Sequence, residues 1–183
     1  MFVAIKKSRN SFQAPLIAAL LVIAASAAAA QSGESKKLQT IYSKLDALAM
    51  KKDIPGLRTL LHQVSTTDCV FIGVPDKSGK VQKKNRDETL QSLERVMPII
   101  DAVTLSASHI EHLSAGKGFI TVLVTSTTKM TTKKMPQDGK VHQIAEFSTS
   151  EDSWIKVGGN WKLKSSKTLT DKITNDGKSV PLS

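Results

Sequence analysis

Cysteine occurs once in this 183-residue chain, at Cys69, and tyrosine once, at Tyr42. A single thiol excludes an intramolecular disulfide. Cys69 lies in the apolar run DCVFIG with no local cation or helix start to lower its pKa, so it reads as a small buried hydrophobe. Aromatic residues make up 4% of the chain, and beyond residue 30 the only arginines are Arg58, Arg86 and Arg95. Nucleic-acid readers draw on arginine forks and exposed aromatics, so the formal net charge of +10 does not point to nucleic acid. The charge is instead dispersed lysine, as at Lys36, Lys37, Lys51, Lys52, Lys83, Lys84, Lys133 and Lys134. That pattern is a solvated surface with at most weak attraction to anionic envelope surfaces. Repeats, low-complexity tracts and a second-domain linker are also lacking.

What is present begins with a targeting pattern. Lys6, Lys7 and Arg9 form a basic start, Ala14 to Ala25 an apolar stretch, and Ala28-Ala29-Ala30 a small-residue site before Gln31. The expectation is a signal peptide over residues 1–30, cleaved near Ala30, and export to the periplasm or the exterior. The alanine-dominated stretch is too short and weak for a membrane span. Residues 31–183 have the size of one domain, with a core over about residues 34–173.

Three helices are predicted first. Leu38, Ile41, Tyr42, Leu45, Leu48 and Ala49 follow the spacing of an amphipathic helix. Asp53 and Pro55 then open a second helix with the stripe Ile54, Leu57, Leu60, Leu61 and Val64. A short strand at Cys69 to Ile72 and the turn-rich VPDKSGK separate it from a third helix, opened by Asn85 and Glu88 at capping-box spacing and ending at Pro98. Four long strands follow, divided at Ala115 to Gly118, Gln137 to Gly139 and Gly158-Gly159. The segment TSTTKMTTKKMPQDGK is polar on both faces, as expected of a hairpin tip standing clear of the core.

Both tryptophans flank Gly158-Gly159 in SWIKVGGNWKLK. A two-residue primed turn there needs positive φ twice, which glycine supplies. It would set Lys156 opposite Trp161 and Trp154 opposite Leu163, with both indoles on one face of the terminal hairpin.

The segments SKLDALAMKKDIPGLRTLL and DSWIKVGGNWKL, in this order of elements, resemble the nuclear transport factor 2-like superfamily, which includes ketosteroid isomerase and SnoaL-like proteins. Secreted bacterial members of unknown function look closest. The resemblance implies an α+β fold in which three N-terminal helices pack on a strongly curved antiparallel sheet, a cone with a pocket at its wide end. It also implies a homodimer through the open sheet face, with Ile155, Val157 and Ile110 projecting there. Isomerase chemistry of the known type uses an Asp base with Tyr and protonated Asp donors. On the family's pattern Leu45 stands at the donor tyrosine and Gly73 at the base, so that catalytic set is missing.

The pocket candidates are Tyr42, Glu146, Asp152, Trp154 and Trp161. By strand parity Glu146 and Asp152 face the same side as Trp154 and Lys156, and a salt bridge from a carboxylate to Lys156 is the bland account. Tyr42 in its bland reading packs in the core with its hydroxyl at the rim. The run HIEH offers His109, Glu111 and His112, but alternation places His112 on the opposite face, so no metal site is expected. No cofactor is expected either. The reading is a ligand-binding or dimerisation module, taking a small molecule in the cone. The alternative is a small-molecule enzyme of isomerase, cyclase or lyase type using Tyr42 with Glu146 or Asp152.

Overall fold

A computed structural model of the chain describes residues 33–116 and 118–180. The expected signal segment lies outside the described residues; within them no helix is long and apolar enough to cross a membrane. Helix α1 (Gly33–Met50) buries Leu38, Tyr42, Leu45 and Ala49 along one face, and that face also carries Asp46. Lys52, at φ 56°, breaks it. Asp53 then caps α2 (Ile54–Val64), its Oδ1 accepting from Gly56 N at 2.9 Å. A Cβ on Gly56 would meet Asp53 Oδ2 at 2.5 Å and Leu48 Cδ2 at 2.7 Å, so the tight step between the helices requires glycine.

Strand β1 (Ser65–Pro75) and β2 (Val81–Asn85) form an antiparallel pair that the sequence reading had only as a short strand and a turn. Helix α3 (Arg86–Val96) opens with the expected capping box: Asn85 Oδ1 accepts from Glu88 N, and Glu88 Oε2 from Asn85 N. After a 3₁₀ turn at Met97–Ile99 come β3 (Ile100–Gly116), β4 (Phe119–Thr132), β5 (Gln143–Val157), β6 (Asn160–Asn175) and β7 (Lys178–Val180). The sheet order is β2-β1-β6-β5-β4-β3, with β7 on the far part of β6. The expected wholly antiparallel sheet is corrected in one place. β1 runs parallel to β6, because the chain returns through α3 and the long meander before it pairs there.

Curvature is unevenly distributed. β4 and β5 pair without a break from Phe119↔Ile155 to Thr131↔Gln143. By contrast the register shifts three times between β3 and β4 and twice between β5 and β6. Each bulge adds a residue and bends its strand, so the flanks wrap around an unbroken centre. Gly158 and Gly159 sit at φ 57° and 82°, and the register pairs Trp154 with Leu163 and Lys156 with Trp161, as the primed turn requires.

The core fills the space between helices and sheet, with Leu38, Leu57, Leu61, Leu90, Leu93, Ile120, Val122 and Trp154 closed from solvent. Two expectations fail here. Ser126, Thr128, Met130 and Thr132 are buried, so only the tip beyond Thr132 stands clear; strand alternation carries every second residue inward regardless of its polarity. Ile110 is also buried, opposite Val124, and is lost to any contact on the open face.

Candidate functional site: a polar belt inside the sheet

Along β5 the inward residues are Glu146, Ser148, Ser150, Asp152 and Trp154, all buried. Ser126 and Thr128 pair with Ser148 and Glu146 from β4, and Ser108 and Ser106 extend the row onto β3. On β6, Ser166 and Asp171 pair with Asp152 and Ser148. A belt of hydroxyls and carboxyls thus crosses four strands. On its hairpin side it is bounded by Ile110, Val124, Trp154 and Leu163, and on its far side by Val103, Met130, Ile144 and Ile173.

Helix α1 meets this belt with two polar side chains one turn apart, Tyr42 and Asp46. Tyr42 OH donates to Asp152 Oδ2 at 2.6 Å, and Trp154 Nε1 donates to Tyr42 OH at 3.2 Å. The two rings meet edge to face at 5.7 Å. Ser106 Oγ donates to Asp46 Oδ1 at 2.7 Å, and Ser108 Oγ to Ser126 Oγ at 3.1 Å.

The electrostatics follow from burial. Desolvation pushes the Asp152 carboxyl up, against the hydroxyls of Ser166, Tyr42 and Ser150, which favour its charged form. Tyr42 is held well above the usual phenol range, first by burial and then by the Asp152 charge. Asp171 is pushed up to about 6 by burial. Ser166 and Ser150 approach Asp152, and the Lys172 backbone approaches Asp171, but Asp152 Oδ1, Ser150 Oγ and both Asp171 oxygens are closed from solvent and complete no well-formed hydrogen bond among the described residues. Cys69, beneath Asp152, is pushed up to about 12 by burial and then by that carboxyl, which leaves it an inert thiol.

Of the residues singled out in the sequence, Tyr42, Asp152 and Trp154 converge on one network. Glu146 shares their face but lies six residues along β5, roughly 20 Å at the rise of a strand. Trp161 leaves the group. Its Nε1 donates to Glu34 Oε2 at 2.6 Å, and its ring lines a surface groove of about 600 Å³ with Lys37, Thr40, Ile41, Gln63, Val64, Gly159, Asn160 and Lys162. The expected bridge from Lys156 to Asp152 or Glu146 is replaced by a 3.6 Å pair with Glu34, and the Lys156 ammonium lies 5.3 Å from the centre of the Trp161 ring. At the end of a strand a long side chain reaches the helix start more readily than a residue deep inside the sheet. Tyr42 is likewise no rim residue, since its hydroxyl points inward.

Asp46 and Asp171 were missed. Asp46 was legible, as a carboxylate four residues after Tyr42 on an otherwise apolar stripe. Asp171 was legible too: the two bulges in β6, at Lys164 and Leu169, cancel, so plain alternation from Leu163 already carries it inward. A bulge corrects the histidines. Glu111 is the extra residue, so His112 pairs with outward Leu123 and returns to the side of His109. Among the described residues no group of three or more His, Cys, Asp or Glu is arranged to hold a metal ion. His142 instead bridges two carboxylates, Asp176 at 2.7 Å and Asp138 at 2.9 Å, tying the β4–β5 tip to the β6–β7 turn.

No family model matches the sequence, and no curated protein sequence does. Solved structures do match. A conserved protein from Planctomyces limnophilus is 17% identical, with 79% of this chain and 99% of that chain covered and a TM-score of 0.59. A nuclear transport factor 2-like protein from Cytophaga hutchinsonii is 16% identical, covering 75% and 98% at a TM-score of 0.52. A type 2 hexachlorocyclohexane dehydrochlorinase is 12% identical, covering 78% and 88% at a TM-score of 0.50. At such identities the likeness speaks to fold. The chain has the nuclear transport factor 2-like α+β fold, which these neighbours share across an enzyme and proteins without a stated activity.

Proposed function

We propose that this chain is an exported small-molecule binding module whose polar belt takes a compact ligand rich in hydrogen-bond donors. The observation that carries this reading is the set of poorly satisfied acceptors, Asp152 Oδ1 and both oxygens of Asp171, which lack a well-formed hydrogen bond on the inner face of the sheet. Burying acceptors without partners costs about 1–3 kcal/mol each, a cost that a bound donor removes. Asp171 is the least covered acidic residue of the belt, although both its carboxyl oxygens are closed from solvent. Thermal-shift measurements with millimolar polyols, primary amines and carboxylates test it. Polyols or amines raise the melting temperature, carboxylates do not, and Asp152→Asn abolishes the rise. Stabilisation by carboxylates alone, or an undiminished response in Asp152→Asn, would overturn the reading.

A second reading, a small-molecule enzyme, is supported by the 2.6 Å Tyr42–Asp152 bond. A phenol and a carboxyl of raised pKa side by side can share a proton and donate to a developing oxyanion. The two readings part on the fate of a bound ligand. A binding module returns it unchanged by mass spectrometry, and an enzyme does not.

Export rests on the charge, apolar and small-residue order of residues 1–30. Mass spectrometry of the exported protein is expected to find a chain beginning near Gln31; one that retains Met1 to Ala30 contradicts export by cleavage. A homodimer through the open sheet face rests on Phe119, Phe147 and Val157, each more than 40% exposed, with Ile155 opposite Phe119. Light scattering at micromolar concentration is expected to give twice the chain mass, and a monomer at all concentrations removes the idea.

A further inference from the structure

At the hairpin end, away from the belt, a second set of groups meets. We propose that the groove between α1, the end of α2 and the β5–β6 turn is a binding site for an acidic oligosaccharide chain, independent of what the belt holds.

The groove's volume of about 600 Å³ lies within the range of ligand sites, roughly 300–1,000 Å³. Its walls combine three chemistries that a uronic-acid chain presents in complement. Trp161 supplies a flat apolar platform for the C–H face of a pyranose. Its ring is fixed by the bond from Nε1 to Glu34 and by Lys156 near its face, so little freedom is lost when a sugar stacks on it. Gln63 and Asn160 bring amide groups, and Thr40, whose hydroxyl already donates to the Lys36 carbonyl, offers a lone pair; these suit ring hydroxyls.

Charge chooses among sugars. Lys37 lines the wall formed by α1, and Lys162, whose Nζ donates to the Gln63 carbonyl, the wall formed by β6, with Lys156 beside them. Against these three ammonium groups stands one carboxylate, Glu34, 3.3 Å from Lys37 and 3.6 Å from Lys156. The surplus is positive, and the Lys37 side chain, although paired with Glu34, keeps 67% of its surface in water, where it can also meet a carboxylate on the ligand. Lysines on facing walls fit a chain bearing a negative charge on successive residues better than a single anion. An acyl chain would need an apolar furrow, whereas Ile41 and Val64 are the only aliphatic residues in the lining.

Titration of the intact protein with an oligogalacturonate, followed by tryptophan emission and calorimetry, tests the proposal. Trp154 is closed from solvent, so an emission change reports on Trp161. Binding is expected to weaken as salt rises, to be at least tenfold weaker for a neutral malto-oligosaccharide of equal length, and to fall at least tenfold in Lys37→Glu. Asn160→Ala, at an exposed position, is expected to lose several-fold without touching the core. Three results would overturn it: no binding at millimolar oligogalacturonate, equal affinity for the neutral chain, or full affinity in both variants. Binding to phosphatidylglycerol vesicles without binding to the oligosaccharide would likewise overturn it and assign the lysines to a lipid surface. Asp152→Asn leaves oligogalacturonate binding unchanged, so failure of the belt reading and failure of this one are told apart.

Discussion

Two stretches of the same strands face the same side of the same sheet and differ in everything but burial. At the hairpin end β4 and β5 turn Ile120, Val122 and Trp154 inward; one turn of the pleat further they turn Ser126, Thr128, Ser148, Ser150 and Asp152 inward, nearly as well closed from solvent. The backbone treats both alike, since alternation places residues without regard to chemistry. Their energetics are opposite. Each buried aliphatic or aromatic side chain stabilises the fold by about 1.5–3 kcal/mol, whereas each buried polar group is at best offset by its hydrogen bonds. A sheet built only for stability would continue the first pattern, so the belt is the part of the interior whose composition calls for a function.

The contrast is broken most visibly at Trp154. Trp154→Ala removes a fully buried indole and its bond to Tyr42, with an expected loss of about 3–5 kcal/mol in urea melts. Trp161→Ala, at a half-buried groove position, is expected to cost less than half as much. Equal losses would mean that the groove is part of the core.

Tyr42→Phe keeps the aromatic body and deletes only the hydroxyl, so it measures the belt's side of the comparison alone. Trp154 Nε1 and Asp152 Oδ2 both lose a partner, and the expected cost is about 1–3 kcal/mol. A loss near zero would place the hydroxyl at a wet rim, where the sequence had put it.

Those two predictions also mark what the sequence could and could not disclose. The helix pair, the capping box at Asn85 and Glu88 and the Gly158-Gly159 register were legible because each rests on local chemistry within a few residues. Asp152 and Trp154 were placed on the right face because β5 has no bulge of its own. The parallel pairing of β1 and the return of His112 depend on distant chain packing and on a bulge, for which no residue type is diagnostic. The site was half legible for the same reason. Strand parity found Asp152 and Glu146 together, yet parity carries no length, and the two lie at opposite ends of the belt.

The smallest effect asks whether an unpaired carboxyl of the belt behaves as the comparison requires. Asp171 has its ordinary carboxyl value of 3.8 pushed up to about 6 by burial, so the folded protein holds this proton more tightly than the unfolded chain does. Below pH 3.8 both states are protonated and the group is neutral with respect to stability. Between pH 3.8 and 6 the unfolded chain ionises first, so stability falls as pH rises, and above 6 the deficit stays constant. Asp171→Asn has no proton to lose and escapes that deficit. The difference in stability between variant and wild type is therefore expected to grow in the variant's favour from pH 4 to pH 6 and to be flat from 6 to 8. Because Asp171 is only partly buried, solvent screening keeps the change small, about 1 kcal/mol or less. Urea midpoints at four pH values suffice to read it. A difference that does not vary with pH would mean that Asp171 is ionised and satisfied in the folded state, and the belt would then lack the open acceptors on which its ligand depends.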